Sequence, residues 1–276
     1  MNINDITVDL YDYFKKTKNK EEGILHCFLH EEEGDIKRPS LLVITGGAYG
    51  ELCFRENLPI AKRFFHAGYN TFYIDYSCGE GVLFPTALYE CGMALLYIRE
   101  NAQKLKLTEK VAVMGFSAGG HLTGLLANGI EKFCYSEFNA EQRQLIRMDA
   151  LVYCYPVVST REELIHSDSF KNLLKEKQDS YLKQVSLETL IQKNACPAFI
   201  FHCADDTVVP VENSLALAKA YSAYNIPFEL HVFPKGGHGV AIPTRECWEE
   251  QEMAYVNEEL IIWCELVLKW LKNQGF

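Results

Sequence analysis

Residues 110–127 read KVAVMGFSAGGHLTGLLA. The first seven form a nearly continuous β-branched apolar run of strand length, and the residues from Ala118 onward carry helical periodicity. The two patterns meet at Gly115-Phe116-Ser117-Ala118-Gly119, a G-x-S-x-G pentapeptide in the strand-turn-helix setting that an exposed catalytic serine requires. A serine on so sharp a turn has strained dihedrals, and glycines two positions to either side let strand and helix approach closely. Its hydroxyl faces the amino end of the helix, where the backbone dipole favours negative charge. Ser117 is the candidate nucleophile.

Working outward, further strand-like runs are GILHCFL (23–29), LLVIT (41–45), NTFYIDY (70–76), ALVYCYPVV (150–158), AFIFHCA (198–204) and FELHVFP (228–234). Most are continuously apolar rather than alternating, as in strands covered by helices on both faces. Helical periodicity occupies 55–66, 85–105, 118–129, 213–224 and 248–272. The alternation predicts an α/β fold: one domain over residues 1–276, with a mostly parallel doubly wound sheet flanked by helices and ligands bound beyond the carboxyl ends of the strands. The charged, weakly amphipathic stretch 159–192 breaks the rhythm and is read as a small helical lid insertion, the other reading being a long crossover.

The net charge is −10, from 27 Lys and Arg against 37 Asp and Glu, which argues against nucleic-acid and anionic-membrane partners. No apolar run approaches the ~20 residues needed to span a bilayer. The opening MNINDITVDLYDYF lacks a basic stretch followed by an apolar one, so a cytoplasmic location is expected. Ten cysteines are scattered through apolar segments without C-x-x-C pairs or metal spacing and read as small buried thiols.

A serine needs a base. Of eight histidines, His238 is the best placed, in the glycine-rich FPKGGHGV directly after a strand. His26, His202 and His231 lie inside strand patterns and read as core or edge residues, His121 as a local packing residue, and His30, His66 and His166 as solvent-facing. The imidazole needs a carboxylate to set its tautomer, and the loop after AFIFHCA supplies Asp205 and Asp206. Asp206 is preferred because it precedes a Val-Pro turn; Asp205 reads as a capping or loop-bracing carboxylate. An oxyanion also needs donors. Gly46-Gly47-Ala48-Tyr49, after the strand at 41–45, can supply backbone N–H groups together with that of Ala118. Tyr49 and Phe116 are candidates to line the substrate pocket.

The order Ser117, Asp206, His238 is that of the α/β-hydrolases. The segments VITGGAYGELCFRENLPIAKRFFHAGYNTFYIDYS, VMGFSAGGHLTGLLA, FIFHCADDTVVPVENSLALAKA and FELHVFPKGGHGV resemble the small esterases of that superfamily, nearest the acetyl-xylan-esterase-like and hormone-sensitive-lipase-like branches. Similar proteins carry P-G-G-G-Y or H-G-G-G in the first segment, so this chain departs at Thr45 and Ala48. The resemblance implies oxyanion roles for Gly47, Ala48 and Ala118 and the acid role for Asp206. It also implies deacetylation of acylated sugars or similar small esters, with no metal or organic cofactor. An arylformamidase or other amidase is the alternative; a lipase, a peptidase and a non-catalytic binding protein rank below it. The sequence leaves the oligomeric state, a homodimer included, open.

Overall fold

The computed structural model describes residues 3–18, 22–244, 247–248 and 257–276. The strands are β1 (Ile3–Asp9), β2 (Ile24–His30), β3 (Arg38–Ile44), β4 (Asn70–Asp75), β5 (Leu107–Phe116), β6 (Ala150–Cys154), β7 (Ala198–Cys203) and β8 (Phe228–Phe233). They form one sheet in the order β1-β2-β4-β3-β5-β6-β7-β8. β1 and β2 run antiparallel to their neighbours, and every pairing from β4 to β8 is parallel. β1 was not anticipated, because INDITVD alternates polar and apolar residues at the sheet edge and never forms a continuous apolar run.

The helices are α1 (Leu10–Tyr13), α2 (Leu58–His66), α3 (Thr86–Glu100), α4 (Ala118–Asn128), α5 (Ile130–Cys134), α6 (Ala140–Leu145), α7 (Ser167–Leu174), α8 (Gln178–Tyr181), α9 (Glu212–Ala223) and α10 (Ile262–Asn273). The predicted helix at 248–272 is observed from 262 onward; its earlier part lies largely outside the described residues. Two apolar layers result. Ile60 and Phe64 of α2 pack with Trp263 and Val267 of α10 against one face of the sheet, while Leu88 and Leu95 of α3, Leu122 and Leu125 of α4 and Leu217 of α9 cover the other. The alternation of side chains along β5 feeds both: Val111 and Val113 enter the second layer, and Ala112, Met114 and Phe116 the first.

The chain runs from β3 to β4 on one side of β3, then crosses to β5 on the other. The loops after β3 and β5 therefore leave adjacent strand ends where the winding reverses, the place where open α/β sheets bind ligands. The 159–192 segment is the crossover between β6 and β7, built of α7, α8 and short 3₁₀ turns.

Candidate active site

Ser117 joins β5 to α4 with φ 50° and ψ −117°, a left-handed region that costs a non-glycine residue roughly 1–2 kcal/mol. Hydrogen bonds on both sides hold it there: its N–H donates to the Cys154 carbonyl and its carbonyl accepts from Val157, both at 3.0 Å. A Cβ at Gly119 would lie 2.2 Å from the Ile44 carbonyl oxygen, so only glycine lets α4 start so close to β3. The Ser117 hydroxyl meets His238 Nε2 at 2.8 Å, and His238 Nδ1 meets Asp206 Oδ2 at 2.6 Å. Three residues from the ends of β5, β7 and β8 thus form one hydrogen-bonded chain.

Asp206 carries more contacts than its place in the sequence suggested. Its Oδ1 accepts the N–H groups of Val208 and Val209 at 2.9 Å, and its Oδ2 also lies 3.1 Å from Nε2 of the fully buried His202. Burial works against its charge, but the hydrogen bonds from His202 and His238 outweigh it and hold the carboxyl well below the usual carboxylate range. His202 Nε2 also faces the Val209 carbonyl at 2.9 Å, while its Nδ1 meets the Ser214 hydroxyl at 2.8 Å. Two acceptors at Nε2 place the proton there. His202 is a core residue, as read, but its brace on Asp206 was missed; the His-x-x-x-Asp spacing across the strand end was the available signal. Asp205 accepts from Gly236 and Gly237 N–H at 2.9 Å, bracing the loop that carries His238.

The loop after β3 passes directly over the serine: a Cβ on Gly46 would lie 2.9 Å from Ser117 Cβ. The Gly46 N–H is taken by Glu56 Oε2 at 2.7 Å. Among the described residues nothing accepts from the N–H of Gly47 or Ala48. Ala118 begins α4, where the first amides of a helix have no partner one turn back. Gly47, Ala48 and Tyr49 all hold positive φ, at 115°, 52° and 57°. The 159–192 crossover supports them, since Asn172 Nδ2 of α7 donates to the Ala48 carbonyl at 3.0 Å. Thr45 closes the base of the loop by donating its hydroxyl to the Cys53 carbonyl at 2.6 Å.

Two expectations are corrected. Phe116, expected to line a substrate pocket, is 0% exposed; the alternation of β5 turns its ring into the α2/α10 layer, 6.0 Å from that of Trp263 and 5.9 Å from that of Tyr155. His30 and His166, expected to face solvent, do not. His30 is buried and stacks on Phe65 at 3.9 Å. His166 is half-buried at the start of α7, bonded to the Ser169 hydroxyl, and its pKa is lowered by burial and then by the nearby His238. Tyr49 is almost wholly buried and edges a small cavity with Phe84, Asn172 and Leu173, its hydroxyl meeting His121 Nδ1 at 2.7 Å.

His121 donates from Nε2 to the Val185 carbonyl at 2.8 Å, so Nδ1 must accept from Tyr49. Burial holds its pKa down at about 4. Between the ordinary value of about 6.5 and that level the unfolded chain binds a proton that the folded chain refuses. This contribution is complete above pH ~6.5 and is lost as pH falls toward 4. Urea unfolding at pH 7 and pH 5 is expected to show wild type losing about 2 kcal/mol more than His121→Gln; equal losses would contradict the assignment.

Among the described residues no helix is long and apolar enough to cross a membrane. Residues 27–221 match the BD-FAE family. The chain is 36% identical over 228 residues to endo-1,4-beta-xylanase B of Butyrivibrio fibrisolvens, covering 80% of this chain and 35% of that protein. It is 26% identical over 226 residues to acetylxylan esterase of Xylanibacter ruminicola, covering 79% and 44%; this chain thus spans less than half the length of either relative. The structure of an acetyl ester-xyloside bifunctional hydrolase from Caldicellulosiruptor lactoaceticus is similar at TM-score 0.75 and 30% identity, covering 92% of this chain and 89% of that one. The chain, whose sheet and helices have the α/β-hydrolase arrangement, belongs to the BD-FAE family.

Proposed function

We propose that this protein is a serine carboxylic-ester hydrolase that removes acetyl groups from small acetylated compounds or sugars. The observation that carries the reading is the chain from Ser117 Oγ through His238 to Asp206, at 2.8 and 2.6 Å, beneath a strained loop of backbone amides. His238 Nε2 takes the serine proton as Oγ attacks the ester carbonyl, and Asp206 holds the proton on Nδ1 and balances the imidazolium. The oxyanion is received by the N–H groups of Gly47, Ala48 and Ala118. The imidazolium then protonates the departing alcohol, and water attacks the acyl-serine by the same steps to release the carboxylic acid. The names of the acetylxylan esterase and acetyl ester-xyloside hydrolase relatives support the acetyl group as the acyl unit.

A panel of p-nitrophenyl acetate, butyrate and octanoate, acetylated xylo-oligosaccharides and an N-formyl anilide tests the substrate class. Acetate is expected to give the highest kcat/KM, falling by about tenfold or more at octanoate. A maximum on the octanoate would replace the reading by a lipase, and a maximum on the formyl anilide by an amidase.

A further inference from the structure

Glu56 takes no step in this scheme, yet it is a carboxylate with 2% exposure directly under the oxyanion loop. Its Oε2 accepts the Gly46 N–H at 2.7 Å, and its Oε1 accepts the Tyr155 hydroxyl at 2.9 Å. The same hydroxyl accepts the N–H of Ala241, three residues past His238, at 2.9 Å. Trp263 Nε1 secures the Ala241 carbonyl at 2.8 Å, and the Tyr155 ring stands edge-on to the His238 imidazole with centroids 5.1 Å apart. One buried carboxylate and one tyrosine therefore tie the loop of the proposed oxyanion donors to the loop of the proposed base.

Packing alone gives no reason for this arrangement. A buried carboxylate costs desolvation, and an apolar pair of the same shape is often as stable or more so. Burial raises the Glu56 carboxyl, opposed by the Gly46 and Tyr155 hydrogen bonds and by nearby His238. Tyr155 and Ala241 hold positive φ, at 38° and 47°, so both backbone positions joined by the hydroxyl are strained. Such strain persists where the surroundings impose a geometry, and the geometry imposed here is the separation of the two loops.

We propose that Glu56 is a positioning residue, which through Gly46 and Tyr155 sets the oxyanion donors at their working distance from His238. The inference rests on the Ser117–His238–Asp206 reading. Misplacing donors by a fraction of an ångström weakens contacts made only in the transition state, so kcat falls while KM holds.

The test is Glu56→Gln, Tyr155→Phe and the double variant, assayed on p-nitrophenyl acetate with melting curves for each. Gln sets an NH₂ against one of two donors at nearly unchanged volume; Phe removes the hydroxyl but keeps the ring on His238. Each single variant is expected to lose roughly 10- to 100-fold in kcat with KM within about twofold. The double variant is expected to be no worse than the weaker single one, because both break the same chain. Should Glu56→Gln not fold, Tyr155→Phe decides. Wild-type kcat in a folded variant, losses that multiply, or a lower Tm at unchanged kcat would overturn the proposal. Ser117→Ala separates this failure from failure of the underlying reading: an inactive Ser117→Ala beside a fully active Tyr155→Phe removes only the role of Glu56.

Discussion

Ser117→Ala is expected to lower kcat for p-nitrophenyl acetate by about 10⁶-fold while the protein keeps its fold. The loss is large because in the proposed mechanism the serine supplies the atom that becomes bonded to the acyl group, and no other described nucleophile shares its position against His238. The stability change is small by comparison. The alanine methyl occupies the same 7% exposed site, and the protein forfeits one hydrogen bond to His238, about 1 kcal/mol. The amides of Gly47, Ala48 and Ala118 survive the substitution, so a residual rate ~10³-fold above water is expected from substrate binding and oxyanion stabilisation. A fluorophosphonate probe is expected to label wild type and not the variant. A folded Ser117→Ala retaining a tenth or more of wild-type activity would remove the acyl-enzyme mechanism altogether.

Asp206→Asn is expected to cost about 10⁴-fold in kcat, and the geometry shows why. The Val208 and Val209 N–H groups bind one carboxylate oxygen, so the amide of an asparagine turns its carbonyl to them and its NH₂ toward His238 and His202. His238 Nδ1 then has to accept rather than donate. Its proton moves to Nε2, facing Ser117 Oγ, where it cannot take the serine proton. His202 keeps its second acceptor, the Val209 carbonyl, so the larger part of the catalytic loss falls on His238. The variant is also expected to be about 3–5 kcal/mol less stable, since it removes one partner of a buried, charge-assisted pair; kcat is therefore measured well below its melting temperature. Asp205→Asn is the comparison. Its carboxylate braces Gly236 and Gly237, and its loss is expected to cost no more than about tenfold. Equal losses in the two variants would refute the distinction.

The candidate site was legible to different depths. Continuous apolar runs made the inner strands readable, because strands buried on both faces need little else, whereas edge strand β1, antiparallel to β2, offers only an alternating pattern. Ser117, Asp206 and His238 each follow a strand, so the end-of-strand rule pointed to the three residues that the structure joins by hydrogen bonds. Glu56 was invisible: a glutamate in a charged stretch reads as a solvated residue, and only the placing of β3 and β6 on either side of β5 brings the Gly46 amide and Tyr155 hydroxyl to it. Phe116 failed for a related reason. Adjacency to the serine along the chain says nothing about direction, and the two-residue period of β5 turns its ring away from the cleft.

What the sequence determined by itself was the identity of the chemical groups and their places at strand ends, since local pattern sets both the elements and their junctions. Which carboxylate reaches the histidine, how many groups share it, and how the loop after β3 is tied to the loop that carries His238 were decided by the tertiary structure. The contacts Asp206–His238, Glu56–Tyr155 and Ser117–His238 join residues 32, 99 and 121 positions apart, and their distances depend on how the strands are ordered in the sheet rather than on the order of residues along the chain.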